Sequence, residues 1–167
     1  MKKTYLNLGC GSDIKLSTDE IEWINIDFGG EKADIKMDLR KTLPFRMNTI
    51  DHIFTSHLVE HFTKYEWAGI IKDWYRALKW EGTIEIHCPD IEAACKLFLK
   101  GENRYTGIVP IHDMFYGSQE NIGQMHHQGF DKERMRKDLE HEGFKILECY
   151  NTTNIDDWEL TCIAKKE

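Results

Sequence analysis

A glycine-rich turn follows the first apolar run of the chain, in the sequence Leu8-Gly9-Cys10-Gly11-Ser12. Glycines at such a turn let backbone N–H groups approach a ligand that a Cβ atom would keep away. Asp27 ends the next apolar run, where a carboxylate can accept hydrogen bonds from both hydroxyls of a ribose. The third glycine of the dinucleotide motif is missing, because position 14 is Ile14, and no helix signal follows to hold a pyrophosphate. The turn and Asp27 together therefore indicate a nucleoside ligand without a diphosphate.

Histidine is the side chain best suited to accept a proton near neutral pH, and several histidines are candidates for that role. We favour His127, because it lies in a long segment of the kind that usually carries substrate-binding insertions. The set of candidate general bases is His57, His61, His112, His126 and His127. His112-Asp113 with His126-His127 offers groups that suit zinc or iron, but no fixed ligand spacing supports such a site. We therefore predict no metal ion.

The 167 residues have the composition of a folded, acidic protein. Hydrophobic residues make up 41% of the chain and aromatic residues 11%, which is enough for an ordinary core. Asp and Glu number 29 against 22 Lys and Arg, giving a formal net charge of −7, whereas binding to phosphates needs a basic surface. The negative charge therefore makes nucleic acid an unexpected partner. No stretch has the length of a transmembrane helix, so we expect no membrane as partner either. The five cysteines are scattered and form no Cys-x-x-Cys pair, which indicates reduced thiols and a cytoplasmic protein.

Alternating apolar runs and turn signals predict an α/β fold with a mostly parallel, Rossmann-like, seven-stranded sheet. One domain over residues 1–167 is expected, with residues 102–131 as an insertion on the substrate side. One helix is predicted after the capping box that begins at Thr63 and before Gly82, a second after Pro89-Asp90, and a third at roughly residues 132–142. The predicted strands are residues 4–8, 23–27, 34–38, 50–55, 83–88, 144–150 and 159–164.

Polar and apolar residues alternate along these strands, whereas a parallel sheet covered on both faces reads as continuous hydrophobic runs. About fourteen residues separate the first two strands and about six the next two, although a crossover with its helix needs at least ten to twelve. We therefore expect helices mainly on one face of the sheet. The other face would be left to water, to the 102–131 segment or to a second copy of the chain in a homodimer.

Five motifs between residues 5 and 90 resemble those of class I S-adenosylmethionine-dependent methyltransferases. Tyr5-Leu6-Asn7-Leu8-Gly9-Cys10-Gly11-Ser12 is similar to their first motif, Ile24-Asn25-Ile26-Asp27 to the acidic second motif, and Met37-Asp38-Leu39 to the loop after their third strand. Two longer blocks resemble later motifs: the fourth-strand block with its S-H-x-x-E-H ending, residues 51–62, and the Leu-Lys-x-x-Gly passage within residues 74–83. Tyr116-Gly117-Ser118-Gln119 and residues 127–131 resemble a subgroup of small, predicted methyltransferases. The chain departs from the family by lacking signals for a helix before the first strand and for full helices after the first two.

The resemblance implies S-adenosyl-L-methionine as cofactor and assigns its site by position. Gly9, Cys10 and Gly11 would border the methionine end and the ribose. Asp27 would hold the ribose hydroxyls. The other implied contacts are Phe28 beside the adenine, Asp38 and Leu39 flanking it, and Ser56 and His57 near the transferred methyl group.

The function implied is in-line methyl transfer to a small-molecule or glycan-like acceptor, with His57 and His127 as candidate catalytic residues. The Asn/Asp-Pro-Pro-Tyr tetrad of DNA adenine methyltransferases is absent after the fourth strand, which disfavours nucleic acid as substrate. Three alternatives stay open: a non-catalytic module that binds the cofactor or its demethylated product or serves as a partner's subunit, a nicotinamide-dependent Rossmann enzyme, and a metal-dependent hydrolase built on the late histidines.

Overall fold

A computed structural model describes residues 2–100, 111–151 and 158–167 of the chain. All seven predicted strands are present within this part, together with four α-helices. The helices are α1 (Lys64–Ala77), α2 (Ile91–Leu99), α3 (Ile111–Tyr116) and α4 (Lys132–His141). The strands are β1 (Lys3–Leu8), β2 (Ile21–Asp27), β3 (Ile35–Lys36), β4 (Ile50–Ser56), β5 (Leu78–Pro89), β6 (Phe144–Asn151) and β7 (Glu159–Lys166).

The strands form one sheet in the order β3-β2-β1-β4-β5-β7-β6. β1 pairs in parallel with both β2 and β4, and β4 pairs in parallel with β5. Only β7 runs against its neighbours, between β5 and β6. From β1, the chain adds β2 and β3 on one side of the sheet and then returns to add β4 and β5 on the other side. The direction in which strands are added therefore reverses at β1. Ligands of open α/β sheets bind at such a reversal, outside the carboxyl ends of the strands.

The apolar face of the sheet is covered by α1 and α4. Thr63 and Glu66 close the predicted capping box at the start of α1: the Thr63 side chain accepts from the Glu66 N–H, and the Glu66 carboxylate accepts from the Thr63 N–H at 2.8 Å. Trp67 and Trp74 of α1 are buried, and the Trp67 indole N–H donates to Asp138 of α4 at 2.9 Å. The two helices are thus joined over the core formed by the inward side chains of the central strands.

Within the described residues, the opposite face of the sheet carries aromatic and polar side chains instead of helices. The rings of Tyr5 and Trp23 meet edge to face at 5.1 Å, and His52 contacts both. Residues 13–17 lie over this face without forming a helix, with the Lys15 N–H donating to Asn25 and the Lys15 ammonium 4.6 Å from the centre of the Phe54 ring. The predicted mostly parallel sheet with helices mainly on one face is therefore confirmed.

Two predicted boundaries are wrong. Helix α1 ends at Ala77 rather than just before Gly82, because Leu78 is already extended and begins β5. Gly82 instead lies within β5, where a Cβ atom would come within 2.8 Å of the Lys79 carbonyl oxygen. β3 is shorter than predicted, with two residues instead of five, since only Ile35 and Lys36 pair with β2.

The 102–131 segment was predicted as a long loop, and its first part, to residue 110, lies outside the described residues. The described part contains helix α3 and a 3-10 turn over Ile122–Gln124. Among the residues described, no helix is both long and apolar enough to cross a bilayer.

Candidate active site

A cavity of about 810 Å³ opens beyond the carboxyl ends of β1, β2 and β4. Seven of the nine predicted cofactor-site residues line it: Gly9, Gly11, Asp27, Phe28, Asp38, Leu39 and His57. Among the described lining residues, Cys10 and Ser56 are not found. Cys10 is 4% exposed, and burial raises the pKa of its thiol, so this side chain is turned into the protein. His127, the favoured catalytic histidine, is part of the lining.

Asp27 joins the two glycine-containing loops of the cavity. One carboxylate oxygen accepts from the Gly29 and Gly30 N–H groups at 2.8 and 2.7 Å, and the other accepts from the Gly11 N–H at 3.0 Å. A carboxylate has about four acceptor positions, so one is left for a ligand hydroxyl. Asp27 therefore has one acceptor position free on the side of the cavity, where the sequence predicts that it contacts ribose hydroxyls.

Gly9 and Gly11 both have a positive φ, 70° and 48°, which favours glycine. A Cβ atom at Gly9 would lie 2.9 Å from the Leu58 side chain, whereas at Gly11 it would meet nothing within 4 Å. Gly9 is thus needed for packing against the loop after β4. Gly11 leaves its side of the turn open to the cavity.

The loop after β3 brings an ion pair to the cavity. Both Asp38 oxygens accept from the Arg40 guanidinium, at 2.9 and 3.0 Å, and these hydrogen bonds hold the pKa of the Asp38 carboxyl below its usual value. Leu39 and Phe28 line the same cavity, where Leu39 is 5% exposed and Phe28 is 76% exposed. The cavity therefore holds a buried aliphatic side chain and an uncovered aromatic ring as well as the Asp38 carboxylate.

His57 follows β4 with a positive φ of 50°, a strained conformation for a residue with a side chain. Its Nε2 lies 3.0 Å from a Glu159 oxygen and its Nδ1 lies 3.5 Å from a Glu60 oxygen. Burial lowers the pKa of His57, but the two carboxylates outweigh burial and raise it to about 9. The two carboxylates therefore favour the protonated form of His57.

The remaining lining comes from the 3-10 turn Val59–His61 and from the end of the predicted insertion. His127 is exposed. Its backbone N–H donates to the Glu60 carbonyl at 2.8 Å, and this bond fixes the end of the insertion against the 3-10 turn Val59–His61. His61 also lines the cavity, whereas His126 lies half-buried beside it, with ring centres 5.0 Å apart. His112 belongs to α3 and is not among the described lining residues.

Several residues of the site were not found from the sequence. Gly29 and Gly30 directly follow Asp27, and this Gly-Gly pair was a signal that could have been used. Arg40 lies two residues from Asp38 and was equally accessible. Glu159 gave no signal, because it is separated from His57 by 102 residues and meets it only through the pairing of β5 with β7.

Comparisons with known proteins agree with this fold. Residues 6–86 match a family model described as a methyltransferase domain. No curated protein matches the sequence significantly.

Solved structures with the same fold cover nearly the whole chain. An S-adenosylmethionine-dependent methyltransferase from Archaeoglobus fulgidus has a TM-score of 0.67 at 17% identity, over 99% of this chain and 86% of that one. One from Methanosarcina mazei has a TM-score of 0.65 at 16% identity, over 99% and 92%. A complex between the Haloferax volcanii Trm112 methyltransferase activator and a methyltransferase described as putative has a TM-score of 0.64 at 14% identity, over 98% and 82%.

The first half of the chain thus matches a methyltransferase domain, and the whole chain has the fold of S-adenosylmethionine-dependent methyltransferases. The matched domain and the similar solved structures imply S-adenosyl-L-methionine as the cofactor. The expected nicotinamide and hydrolase alternatives are not favoured by these comparisons.

Proposed function

We propose that this chain transfers the methyl group of S-adenosylmethionine to a small-molecule or glycan-like acceptor. One observation carries the proposal: a single cavity is bordered by the glycine turn with Asp27 and Asp38 and also by His57, His61 and His127. Its volume of about 810 Å³ lies within the range of small-ligand sites and leaves room for an acceptor beside a nucleoside.

The residues of the cavity suit the proposed cofactor. Asp27 has one acceptor position free for a ribose hydroxyl, and the exposed Phe28 ring can cover an adenine. Asp38 can accept from the exocyclic amine of the base while it stays paired with Arg40. When bound, S-adenosylmethionine supplies a methyl group already activated by a sulfonium, so the protein's task is to hold and orient the acceptor.

The acceptor side contains the two predicted catalytic histidines in different environments. His57 is held between Glu60 and Glu159, which engage both of its ring nitrogens, while the residue lines the cavity. His127 is exposed to the cavity and is the group we assign as the proton acceptor for a hydroxyl substrate. The acidic chain, with its net charge of −7, favours a small acceptor over nucleic acid.

A product assay tests this function. The purified chain is incubated with S-adenosylmethionine and a panel of small hydroxylated, carboxylated and glycan acceptors, and S-adenosylhomocysteine is quantified. We expect turnover with at least one class, reduced by about 10²–10⁴-fold in His127→Ala, as for loss of a general base. The surface variant His141→Ala is the control. Binding of the cofactor without turnover on any acceptor would contradict catalysis by the chain alone.

A second function is that of a subunit whose activity depends on a partner, or of a module that binds the cofactor without turnover. It is supported by the lack of a helix over residues 10–20 and by the exposure of Phe28, which leave the cofactor side open. The Haloferax volcanii neighbour was solved with an activator protein. Turnover by the purified chain alone would remove this alternative, whereas turnover only after addition of a copurified protein would establish it.

A further inference from the structure

The side chain of Glu60 is buried beside two histidines but accepts no hydrogen bond from either. It is 2% exposed, and neither carboxylate oxygen has a hydrogen-bond partner among the described residues. His57 Nδ1 and His126 Nε2 lie 3.5 and 3.9 Å from one of its oxygens, within ion-pair range but outside hydrogen-bond geometry. A buried carboxylate that accepts no hydrogen bond is costly even beside a histidine, and a metal ion would satisfy its oxygens.

His61 and His126 lie beside this carboxylate, and in both rings Nδ1 is hydrogen-bonded to a backbone carbonyl, which leaves Nε2 free. The Nδ1 atom of His61 lies 3.1 Å from the Met125 carbonyl oxygen, and that of His126 lies 3.1 Å from the Met114 carbonyl oxygen. A carbonyl can only accept, so each Nδ1 must carry the hydrogen. The Nε2 atoms of both neutral rings are then lone-pair nitrogens. Metal-binding histidines show this arrangement, because the carbonyl fixes the tautomer and the ring orientation.

Glu60, His61 and His126 place one ligand atom each within 4.8 Å of one another. Zinc bonds of about 2.0–2.2 Å would set tetrahedral ligand atoms about 3.4 Å apart, so a contraction of at most about 1.4 Å closes the set. Two imidazoles and one carboxylate are a ligand set of zinc enzymes that keep a fourth position open.

We propose that Glu60, His61 and His126 bind a Zn²⁺ ion whose fourth position is taken by water or by an acceptor oxygen. Binding of an acceptor oxygen to the ion rests on the proposed function, since His61 lines the cavity that we assign to the cofactor and the acceptor. The ion would link the 3-10 turn Val59–His61 to the segment that carries His126. His57 and His126 approach the same Glu60 oxygen, and because a carboxylate oxygen has two acceptor positions, it can stay beside His57 while it binds the metal. The proposal reverses the expectation from the sequence that the chain holds no metal ion.

The experiment uses the purified full chain after removal of metals with a chelator. Zn²⁺ is titrated by calorimetry, and Co²⁺ is added separately to record the visible absorption bands of a tetrahedral ion. We expect one Zn²⁺ per chain, Co²⁺ bands of a site with nitrogen and oxygen ligands, and no comparable binding of Mg²⁺. His61→Ala and His126→Ala should each weaken Zn²⁺ binding at least tenfold, whereas the exposed His141→Ala should not.

Circular dichroism and thermal unfolding establish that each variant is folded, and the Co²⁺ spectrum of His61→Ala, which should lose the bands of the tetrahedral ion, provides a second readout. Absence of stoichiometric Zn²⁺ binding by the wild type, or equal losses in all three histidine variants, would overturn the proposal. Binding of S-adenosylmethionine is measured in parallel. Cofactor binding without Zn²⁺ refutes the metal site alone, and Zn²⁺ binding without the cofactor refutes the proposed function but leaves the metal site standing.

Discussion

Replacing Asp27 by asparagine changes the cofactor site by the smallest possible amount, a charged oxygen for an amide nitrogen. Asp27 now accepts from the Gly29, Gly30 and Gly11 N–H groups. An amide oxygen has two acceptor positions, so the asparagine side chain can keep the Gly29 and Gly30 contacts. Its NH₂ group would then face both the Gly11 N–H and the position left for the ribose hydroxyl.

The affinity for S-adenosylmethionine should fall by about 10- to 150-fold in Asp27→Asn. A hydrogen bond to a charged group contributes about 1.5–3 kcal/mol, and each 1.4 kcal/mol is a factor of ten in the dissociation constant. The Gly11 contact is exposed, so its loss should lower the free energy of unfolding by only about 0.5–1.5 kcal/mol. The protein should therefore stay folded while it loses most of its affinity.

Equilibrium dialysis with radiolabelled S-adenosylmethionine measures this loss. Asp19→Asn is the matched control, because it makes the same chemical change at an exposed position outside the cavity lining described here. Wild-type affinity in a folded Asp27→Asn protein would refute the assignment of Asp27 to the ribose. An equal loss in Asp19→Asn would show that net charge, rather than the site, determines binding.

Three further predictions concern stability and assembly. Hydrogen bonds with His57 and His87 lower the pKa of Glu159 to about 2, so its stabilising contribution is present above about pH 4.5 and is lost as the pH falls toward 2. Denaturant unfolding should show Glu159→Gln less stable than wild type by at most about 3 kcal/mol at pH 6 and about 1 kcal/mol at pH 3. The exposed Glu148→Gln is the control. A pH-independent difference, or the same pH profile in Glu148→Gln, would refute a stabilising effect of the Glu159–histidine hydrogen bonds. Thr63→Ala, which removes the capping side chain of α1, should cost about 1 kcal/mol and lower Tm by about 2–4 °C, and an unchanged Tm would contradict a contribution of the capping box. Sedimentation should show a dimer if the face without helices is covered by a second copy, and only monomer at high concentration would argue against it.

Local patterns in the sequence predicted most of the fold. Alternation of side chains located all seven strands, and the Thr63 capping box located the start of α1, since both depend on neighbouring residues. The end of α1 was misplaced because Gly82 was interpreted as a helix stop, although a tight approach to the Lys79 carbonyl within β5 requires it. Glycine is common both after the end of a helix and at a close backbone approach within a strand. Only the pairing of β5 with β4 shows that Gly82 has the second role.

The cofactor side of the site could be predicted because its residues follow successive strands that end at one edge of the sheet. The acceptor side could not, because its contacts join residues distant in the sequence. His57 meets Glu159 across 102 residues, and Glu60 approaches His126 only after the segment folds back onto the 3-10 turn. The sequence pattern paired His126 with His112 and Asp113, whereas the structure places it beside Glu60 and His61. No fixed spacing could have indicated that set.

Calorimetric titration of the purified chain with S-adenosylmethionine, with S-adenosylhomocysteine and with NAD⁺ tests the central claim most directly. We predict one site per chain that binds both sulfur nucleosides and gives no heat with NAD⁺, since Gly11 is not followed by a helix that could hold a pyrophosphate. Binding of NAD⁺ in preference to the sulfur nucleosides, or no heat with any of the three, would contradict the assignment of this cavity to S-adenosylmethionine.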